Sequence, residues 1–476
     1  MKWQPDKNLS KSIYRQIVDF IKHKISTGQW PVGSKLPTQR QLAEAFDVNR
    51  STVIEALDEL KSEGLIKGKG SGGTVVINNT WSLLASLPSS NWGKLINSGI
   101  HKPNHPTIQK INKLEFDEKI IRLGTGELSP ELYPKEQMQA MLKKAADKMD
   151  SLGYVEPKGL LCLREVISEY LKKFNINASP ESILIVSGSL QALQLISIGL
   201  LNPNSIVMLE KPSYLKSLHV FESVGMQLKG LEMDNEGLLP NKIEPLHNRA
   251  TLLYTIPTFH NPTGKLMPFN RRKKVLDICN QHRLPIIEDD AYRELWLDEE
   301  PPKPIKSLDR NGIVLYMGSL SKSLAPGLRI GWLVGPEAVI ERLGDIKMQT
   351  DYGSSSLSQW VASQWIPSPI YDKYLDDLRK HLKYRRKLAL DVLEKYYSDI
   401  AVWEKPKGGF YIWLKLNQPI SMQKLFVKAH KEAILINPGD IYDFSNNQCI
   451  RISYSYASLS DLEHALKRLS EIIKKI

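Results

Sequence analysis

The 476-residue chain reads as multidomain, a small α+β unit at the N-terminus followed by a larger α/β unit built on a mostly parallel sheet. Residues 1–77 carry apolar positions at helical spacing and then a glycine-rich hairpin pattern. The rest, from 115 to 476, alternates short apolar runs with helical stretches, the signature of βαβ construction. Between them, residues 78–114 are rich in Ser, Asn, Pro and Lys, with scattered hydrophobics at Trp81, Leu83, Leu84, Leu87 and Trp92, and are expected to form a linker.

Composition narrows the function classes. Hydrophobic residues make up 42% of the chain, with 10 Trp, 18 Tyr and 10 Phe, which excludes a disordered protein. A formal charge of +12 permits an anionic partner without naming one. Three cysteines, Cys162, Cys279 and Cys449, stand in neither CxxC nor Cys/His spacing, so neither a disulfide framework nor a metal site is expected. Residues 1–10 have no apolar run behind their charges. The most apolar later stretch, Leu190 to Leu201, is far shorter than a membrane span and contains Gln and Ser. A cytoplasmic chain with no membrane segment is the expectation.

In the N-terminal unit, Ile13, Ile17, Phe20, Ile21 and Ile25 recur at three and four residues, predicting a helix over Lys11–Ser26 capped by Ser10, with Gly28 turning the chain. Pro37 precedes Thr38 and Gln41 at capping-box spacing, predicting a helix over Gln39–Phe46. A third helix is expected after Asn49 as cap, buried through Val53, Ala56, Leu57 and Leu60 and ended by Gly64. Leu65 to Ile77 reads as two strands around a glycine-rich reversal that carries Lys67 and Lys69. Arg40, Arg50, Ser51 and Thr52 fall at the starts of the second and third helices, where guanidinium groups, hydroxyls and amides reach phosphates and base edges together. This region holds twelve Lys and Arg against eight Asp and Glu, so placement counts for more than amount. The runs Ile13-Tyr-Arg-Gln-Ile17, Lys35-Leu-Pro-Thr-Gln-Arg-Gln-Leu-Ala43, Val48-Asn-Arg-Ser-Thr-Val53 and Glu63-Gly-Leu-Ile66 resemble the GntR-type winged helix-turn-helix. The resemblance implies that Arg40, Arg50, Ser51 and Thr52 face a double-stranded DNA operator.

In the larger unit, strands are expected at Ile183–Val186, Ile206–Leu209, Thr251–Ile256, Leu284–Ile287, Ile313–Met317 and Ile330–Val334. In such a sheet, ligands sit beyond the carboxyl ends of the strands, and the polar motifs fall there. Ser187-Gly188-Ser189-Leu190 opens a helix after a strand, and Asn261-Pro-Thr-Gly264, Glu288-Asp289-Asp290-Ala-Tyr292 and Gly318-Ser319-Leu-Ser321-Lys322 follow three more. Taken singly, each is as easily a surface lysine, a turn or a helix cap. In this order they form the set that pyridoxal 5′-phosphate requires. Lys322 is the amine for the cofactor aldehyde, Asp289 the carboxylate facing the pyridine nitrogen, and Tyr292 and Asn261 hydrogen-bond the phenolic oxygen. Gly188, Ser189, Leu190, Ser319, Ser321 and Arg329 offer amides, hydroxyls and a guanidinium to the phosphate, and Tyr214 is placed to stack on the ring.

Ser319-Leu-Ser-Lys322-Ser-Leu-Ala-Pro-Gly-Leu-Arg329-Ile-Gly-Trp332, with Gly153-Tyr154-Val-Glu-Pro157-Lys-Gly159, Gly408-Gly-Phe-Tyr411 and Ile450-Arg451-Ile-Ser453, resembles the fold type I aminotransferases from about Ile120 onward. That resemblance implies that Tyr154 reaches the phosphate of the partner subunit's cofactor. It also implies that Arg451 binds the α-carboxylate of an amino acid beside Gly126. Leu190 departs from the Gln often found in the phosphate turn, where the contact is commonly through the amide. A GntR-type domain, a linker and an aminotransferase-like domain in that order resemble the MocR subfamily of bacterial transcription regulators. The implied protein is a head-to-tail, domain-swapped homodimer that senses an amino acid, an amine or the cofactor. The alternative is a working class I aminotransferase that carries a DNA-binding domain.

Overall fold

The structure, a computed structural model, describes residues 3–7, 9, 11–68, 73–77, 104–149, 151, 153–244, 251–445 and 447–476. Two compact units make up the chain, 1–99 and 100–476.

In the small unit, α1 (Ile13–Ser26), α2 (Gln39–Phe46) and α3 (Arg50–Ser62) precede a hairpin of β1 (Ile66–Gly68) and β2 (Thr74–Val76), antiparallel with Ile66 opposite Val76. The expected apolar face of α1 is its core face: Ile17, Ile21 and Ile25 pack with Leu42 and Phe46 of α2 and with Val53, Leu57 and Leu60 of α3, all essentially without solvent exposure. Each such side chain contributes about 1.5–3 kcal/mol by leaving water. Trp3 adds a lid, stacked on Phe20 with ring centroids 4.2 Å apart. The Thr38–Gln41 capping box forms in both directions, the Gln41 amide donating to Thr38 Oγ1 and the Thr38 amide to Gln41 Oε1. Asp47, left-handed at φ 51°, closes α2 and turns the chain toward α3.

Some expectations need correction. Helix α1 starts at Ile13 rather than Lys11, and the expected cap Ser10 lies outside the described residues, as do Lys69, Trp81 and Trp92. Asn49 holds the N-cap position of α3, but its side chain makes no capping bond; its backbone carbonyl accepts from the Thr52 amide instead. The expected linker ends too late. Pro106–Leu114 is a helix, α4, whose Ile111 is buried in the core of the large unit. Ile108, Ile111 and Leu114 pack toward the core, an apolar stripe too short to stand out among polar residues.

In the large unit, α5 (Lys135–Lys148) and α6 (Leu161–Lys172) lead to a seven-stranded sheet. Its strands in chain order are β3 (Ile183–Val186), β4 (Ile206–Glu210), β5 (Gln227–Leu231), β6 (Thr251–Thr255), β7 (Ile286–Asp289), β8 (Val314–Ser319) and β9 (Gly331–Val334). Their spatial order is β3-β9-β8-β7-β6-β4-β5, and only β9 runs antiparallel to its neighbours. Six of the seven are the expected apolar runs. They read as continuous hydrophobics because helices cover both faces, and Leu184, Val186, Val207 and Leu209 are fully buried. The unexpected β5 is an edge strand with an exposed Gln227 and a half-exposed Lys229. Helix α7 (Ser189–Gly199) follows β3, and α8 (Phe269–Gln281) precedes β7.

After β9 come α9 (Glu337–Thr350), α10 (Ser356–Trp365) and the long α11 (Pro369–Tyr397). A second, antiparallel sheet follows, of β10 (Ala401–Val402), β11 (Tyr411–Leu416), β12 (Asn437–Pro438) and β13 (Cys449–Ser453), in the order β10-β11-β13-β12. Helices α12 (Met422–Lys431) and α13 (Leu459–Ile473) pack with α11 on this sheet. The reversal of β9 matters for function: it brings the chain just before Gly331 to the end where β3 and β8 finish, with Gly331 opposite both Val186 and Ser319.

Candidate functional site

The amine of Lys322 stands in the turn after β8. Its Nζ donates to the Gly126 carbonyl at 2.7 Å and lies 5.9 Å from the centre of the Tyr292 ring. Gly126 keeps the space in front of it open, since a Cβ there would lie 2.3 Å from the Tyr411 hydroxyl.

Asp289 ends β7, one strand over. Its Oδ2 accepts from the Tyr254 hydroxyl of β6 at 2.8 Å, and its Oδ1 from the Ala291 amide at 3.3 Å. Burial raises the Asp289 carboxyl above its ordinary range, while these two donors and the Lys322 charge pull it back. A protonated ring nitrogen facing it would hold it ionised. Beneath lies a second buried pair: Glu210 accepts from the Thr255 hydroxyl and from the Ile256 amide at 3.1 Å, and its Oε2 sits 4.0 Å from His260 Nε2. Burial pushes the Glu210 carboxyl up to about 7 and lowers the His260 imidazole to about 3, so both are neutral over most of the acid range.

An anion cradle forms where β3, β8 and the start of β9 meet. Gly188, at φ 81°, precedes α7, and the first-turn amides of Ser189 and Leu190 find no acceptor among the described residues. Arg329 Nη2 donates to the Ser187 carbonyl at 2.7 Å, and a Cβ on Gly188 would lie 2.4 Å from that same nitrogen. Ser319 Oγ takes the Ser321 amide at 3.0 Å, while Ser321 Oγ is buried with no partner. A guanidinium, an orphaned hydroxyl and free amides at a helix start fit a phosphate.

Arg451 projects from β13 and is 5% exposed. Its Nη1 donates to Asn261 Oδ1 at 2.8 Å, its Nη2 to the Gly124 carbonyl at 2.6 Å, and its Nε has no partner. The guanidinium carbon lies 4.2 Å from the ring centre of Tyr411 and 4.7 Å from that of Tyr442. Hydrogen-bonding capacity left over on a buried cation suits a carboxylate. Asn261, whose oxygen is taken by Arg451, donates no hydrogen bond from its amide nitrogen among the described residues, leaving that donor for a ligand oxygen. The Tyr292 hydroxyl pairs with that of Tyr411 at 3.1 Å.

These groups converge on one cavity of about 730 Å³. All of the expected cofactor and effector residues line it, Tyr214 included, except Gly188, which stands behind Arg329, and Tyr154. Tyr154 is 87% exposed and packs beside Tyr352, ring centroids 4.8 Å apart. Tyr254, Tyr411, Tyr442, Asn437 and Glu115 are site residues that sequence reasoning missed. The only signal for Tyr411 was its place in the Gly408-Gly-Phe-Tyr run, and the others carried none.

On the small unit, Arg40 and Arg50 are exposed at the starts of α2 and α3. Arg50 donates to Gln39 Oε1 from Nη2 at 3.1 Å, which ties the two helix starts together, while Arg40 pairs with Glu44 one turn along. Ser51 is exposed, Thr52 is half-buried beside it, and Lys67 is exposed on β1.

Residues 118–469 match the family model for aminotransferase class I and II, and residues 13–76 that for bacterial regulatory proteins of the gntR family. The chain is 55% identical to the HTH-type transcriptional regulator YdfD of Bacillus subtilis, covering 97% of this chain and 96% of that protein. It is 36% identical to the HTH-type transcriptional regulator NorG of Staphylococcus aureus, covering 93% of this chain and 100% of that one. Among solved structures, the kynurenine aminotransferase of Pyrococcus horikoshii, in complex with PMP, superposes with a TM-score of 0.74 at 32% identity, over 82% of this chain and 98% of its own. Helix-turn-helix domain, aminotransferase class I and II domain and near full-length relatives together place the chain in the MocR subfamily of gntR-family transcriptional regulators.

Proposed function

We propose that this regulator holds pyridoxal 5′-phosphate in the large unit's cavity, reads an amino acid, an amine or the cofactor itself there, and passes that state to double-stranded operator DNA bound by the small unit. The observation that carries the reading is the convergence of the Lys322 amine, the Asp289 carboxylate, the Arg329 cradle and the Arg451 guanidinium on one cavity. When bound, the cofactor supplies an electrophilic carbon for amines and an electron-withdrawing ring.

This chain's residues do the rest. Lys322 presents its amine beside Gly126, and Asp289, steadied by Tyr254, holds a proton on the ring nitrogen. Asn261 and Tyr292 would hydrogen-bond the ring's phenolic oxygen, and Tyr214 would stack on the ring. Gly188, Ser189, Leu190, Ser319, Ser321 and Arg329 bind the phosphate. Arg451 takes the effector's carboxylate, with Gly126 alongside. In the small unit, Arg40, Arg50, Ser51, Thr52, Lys67 and Lys69 face the operator. The exposed Tyr154–Tyr352 pair supports a head-to-tail homodimer in which Tyr154 completes the partner's site. The protein works in the cytoplasm, at the nucleoid when bound to DNA. Among the described residues, no helix is long and apolar enough to cross a membrane.

The test is the visible absorption of the purified protein, titrated with amino acids and amines while keto acid and operator affinity are followed. A ligand-specific spectral shift that alters DNA binding without turnover is expected, and Lys322→Ala should lose band and response but keep basal DNA affinity. Absence of any visible band after adding the cofactor would overturn the reading, and steady keto acid release would make the protein an enzyme.

A further inference from the structure

We propose that the effector is an amino acid with a cationic side chain whose distal charge is held by Glu115 at the end of α4. The proposal rests on the reading above, in which Arg451 takes the α-carboxylate. Three consecutive residues organise the site. The Gly124 carbonyl accepts from Arg451 Nη2 at 2.6 Å, the Thr125 hydroxyl donates to Glu115 Oε1 at 3.0 Å, and the Gly126 carbonyl accepts from Lys322 Nζ at 2.7 Å. Arg451, Glu115 and Lys322 are therefore arranged around one short segment, and all three line the same cavity.

Among the described residues Glu115 forms no ion pair, and Thr125 satisfies only one of its carboxylate oxygens. The Glu115 charge is also felt at Tyr214, whose phenol burial pushes up to about 12 with the carboxylate adding to the shift. Arg451, held at the residue next to Thr125, is nearly fully buried and retains an Nε unpartnered among the described residues. One buried cation and one unpaired carboxylate thus stand at two places on the wall.

The rest of the lining does not suit an acidic side chain. His219 is paired with Glu222 at 3.3 Å, and Glu222 also takes Lys216 at 3.3 Å. Lys322 and Arg329 are assigned to the cofactor, so among the described residues no second cation of the lining is free for a distal carboxylate, and Glu127 adds another carboxyl group to the cavity wall. The wall also carries apolar side chains, Ile108, Leu193 and Ile198 among them. Apolar lining suits the methylenes of a long side chain, and an ammonium or guanidinium at its end suits the Glu115 carboxylate.

The cofactor-loaded, full-length protein should be titrated with L-ornithine, L-lysine, L-norleucine and L-glutamate, reading both calorimetric heat and the visible band. Ornithine or lysine should bind roughly ten- to hundredfold more tightly than norleucine, the range of a hydrogen bond to a charged group. Glutamate should bind most weakly. Glu115→Gln, which keeps an acceptor for Thr125, should erase the preference and leave norleucine affinity unchanged, which also shows that the pocket is intact. If norleucine or glutamate matches lysine, or if Glu115→Gln keeps the preference, the side-chain assignment falls while the amino-acid reading stands. If no amino acid gives heat or a spectral change, both fall.

Discussion

The Tyr254 hydroxyl donates to Asp289 Oδ2 at 2.8 Å across the β6–β7 pairing, so the carboxylate assigned to the ring nitrogen is held from behind by the neighbouring strand. Burial alone would favour the neutral acid, and this bond is the largest opposing influence. Tyr254→Phe should therefore raise the Asp289 carboxyl further and weaken its hold on a protonated ring. A charge-assisted hydrogen bond contributes about 1.5–3 kcal/mol, so cofactor affinity should fall at least roughly tenfold. Equilibrium titration of the visible band checks this; an unchanged dissociation constant would remove Tyr254 from the site.

Arg50 should behave in the opposite way. It is exposed at the start of α3, and its only hydrogen-bond partner among the described residues is Gln39 at the start of α2. Arg50→Ala should weaken binding to double-stranded operator DNA by roughly ten- to hundredfold, and should reduce the salt dependence by about one counter-ion if the contact is to phosphate. The visible band and its response to ligand should be untouched. Fluorescence anisotropy at several salt concentrations measures both effects, and an affinity equal to that of the unmodified protein would mean that α3 does not face DNA.

Local chemistry was legible in the sequence, and long-range register was not. The Thr38–Gln41 box and the order of the helices follow from neighbours a few residues apart. Six strands were legible because burial on both faces makes them apolar throughout, while edge strand β5 was hidden by its polar residues. The motifs holding Lys322, Asp289, Asn261 and Arg329 were visible because each sits at a strand end. Their partners were not. Tyr254 reaches Asp289 only through strand pairing, and Arg451 reaches Gly124 across 327 residues of chain. Glu115 lies within the expected domain, but the helix that presents it to the cavity falls in the stretch expected to be linker.

Gly188 offers a test of the anion cradle. Its backbone, at φ 81° and ψ 161°, lies in a region that only glycine occupies freely, and an added Cβ would fall 2.4 Å from Arg329 Nη2. Gly188→Ala must strain the turn or displace the guanidinium, at a cost of about 1–3 kcal/mol. Cofactor affinity should drop by roughly tenfold or more while the thermal transition of the small unit stays in place. Retention of full cofactor affinity would show that Arg329 and this turn do not hold the phosphate.

Glu210 sets a pH dependence of a definite sign. Its carboxyl titrates near 7 in the fold against an ordinary value of 4.5, so between those values the folded state holds a proton that the unfolded chain has lost. Stability from this group is present below about pH 4.5, declines as pH rises, and is gone above about 7, a total of about 3 kcal/mol. Glu210→Gln keeps the oxygen that accepts from Thr255 and the Ile256 amide, and its new amide would face the neutral His260 ring, whose Nε2 has no partner. The depressed His260 group acts in the other direction, losing stability as pH falls toward 3, and it is present in both proteins, so it largely cancels in their difference. Calorimetry of the large unit's transition at pH 5 and pH 8 should therefore show the variant close to the unmodified protein at the lower pH and clearly more stable at the higher. An equal difference at the two pH values would mean that Glu210 is already ionised in the fold.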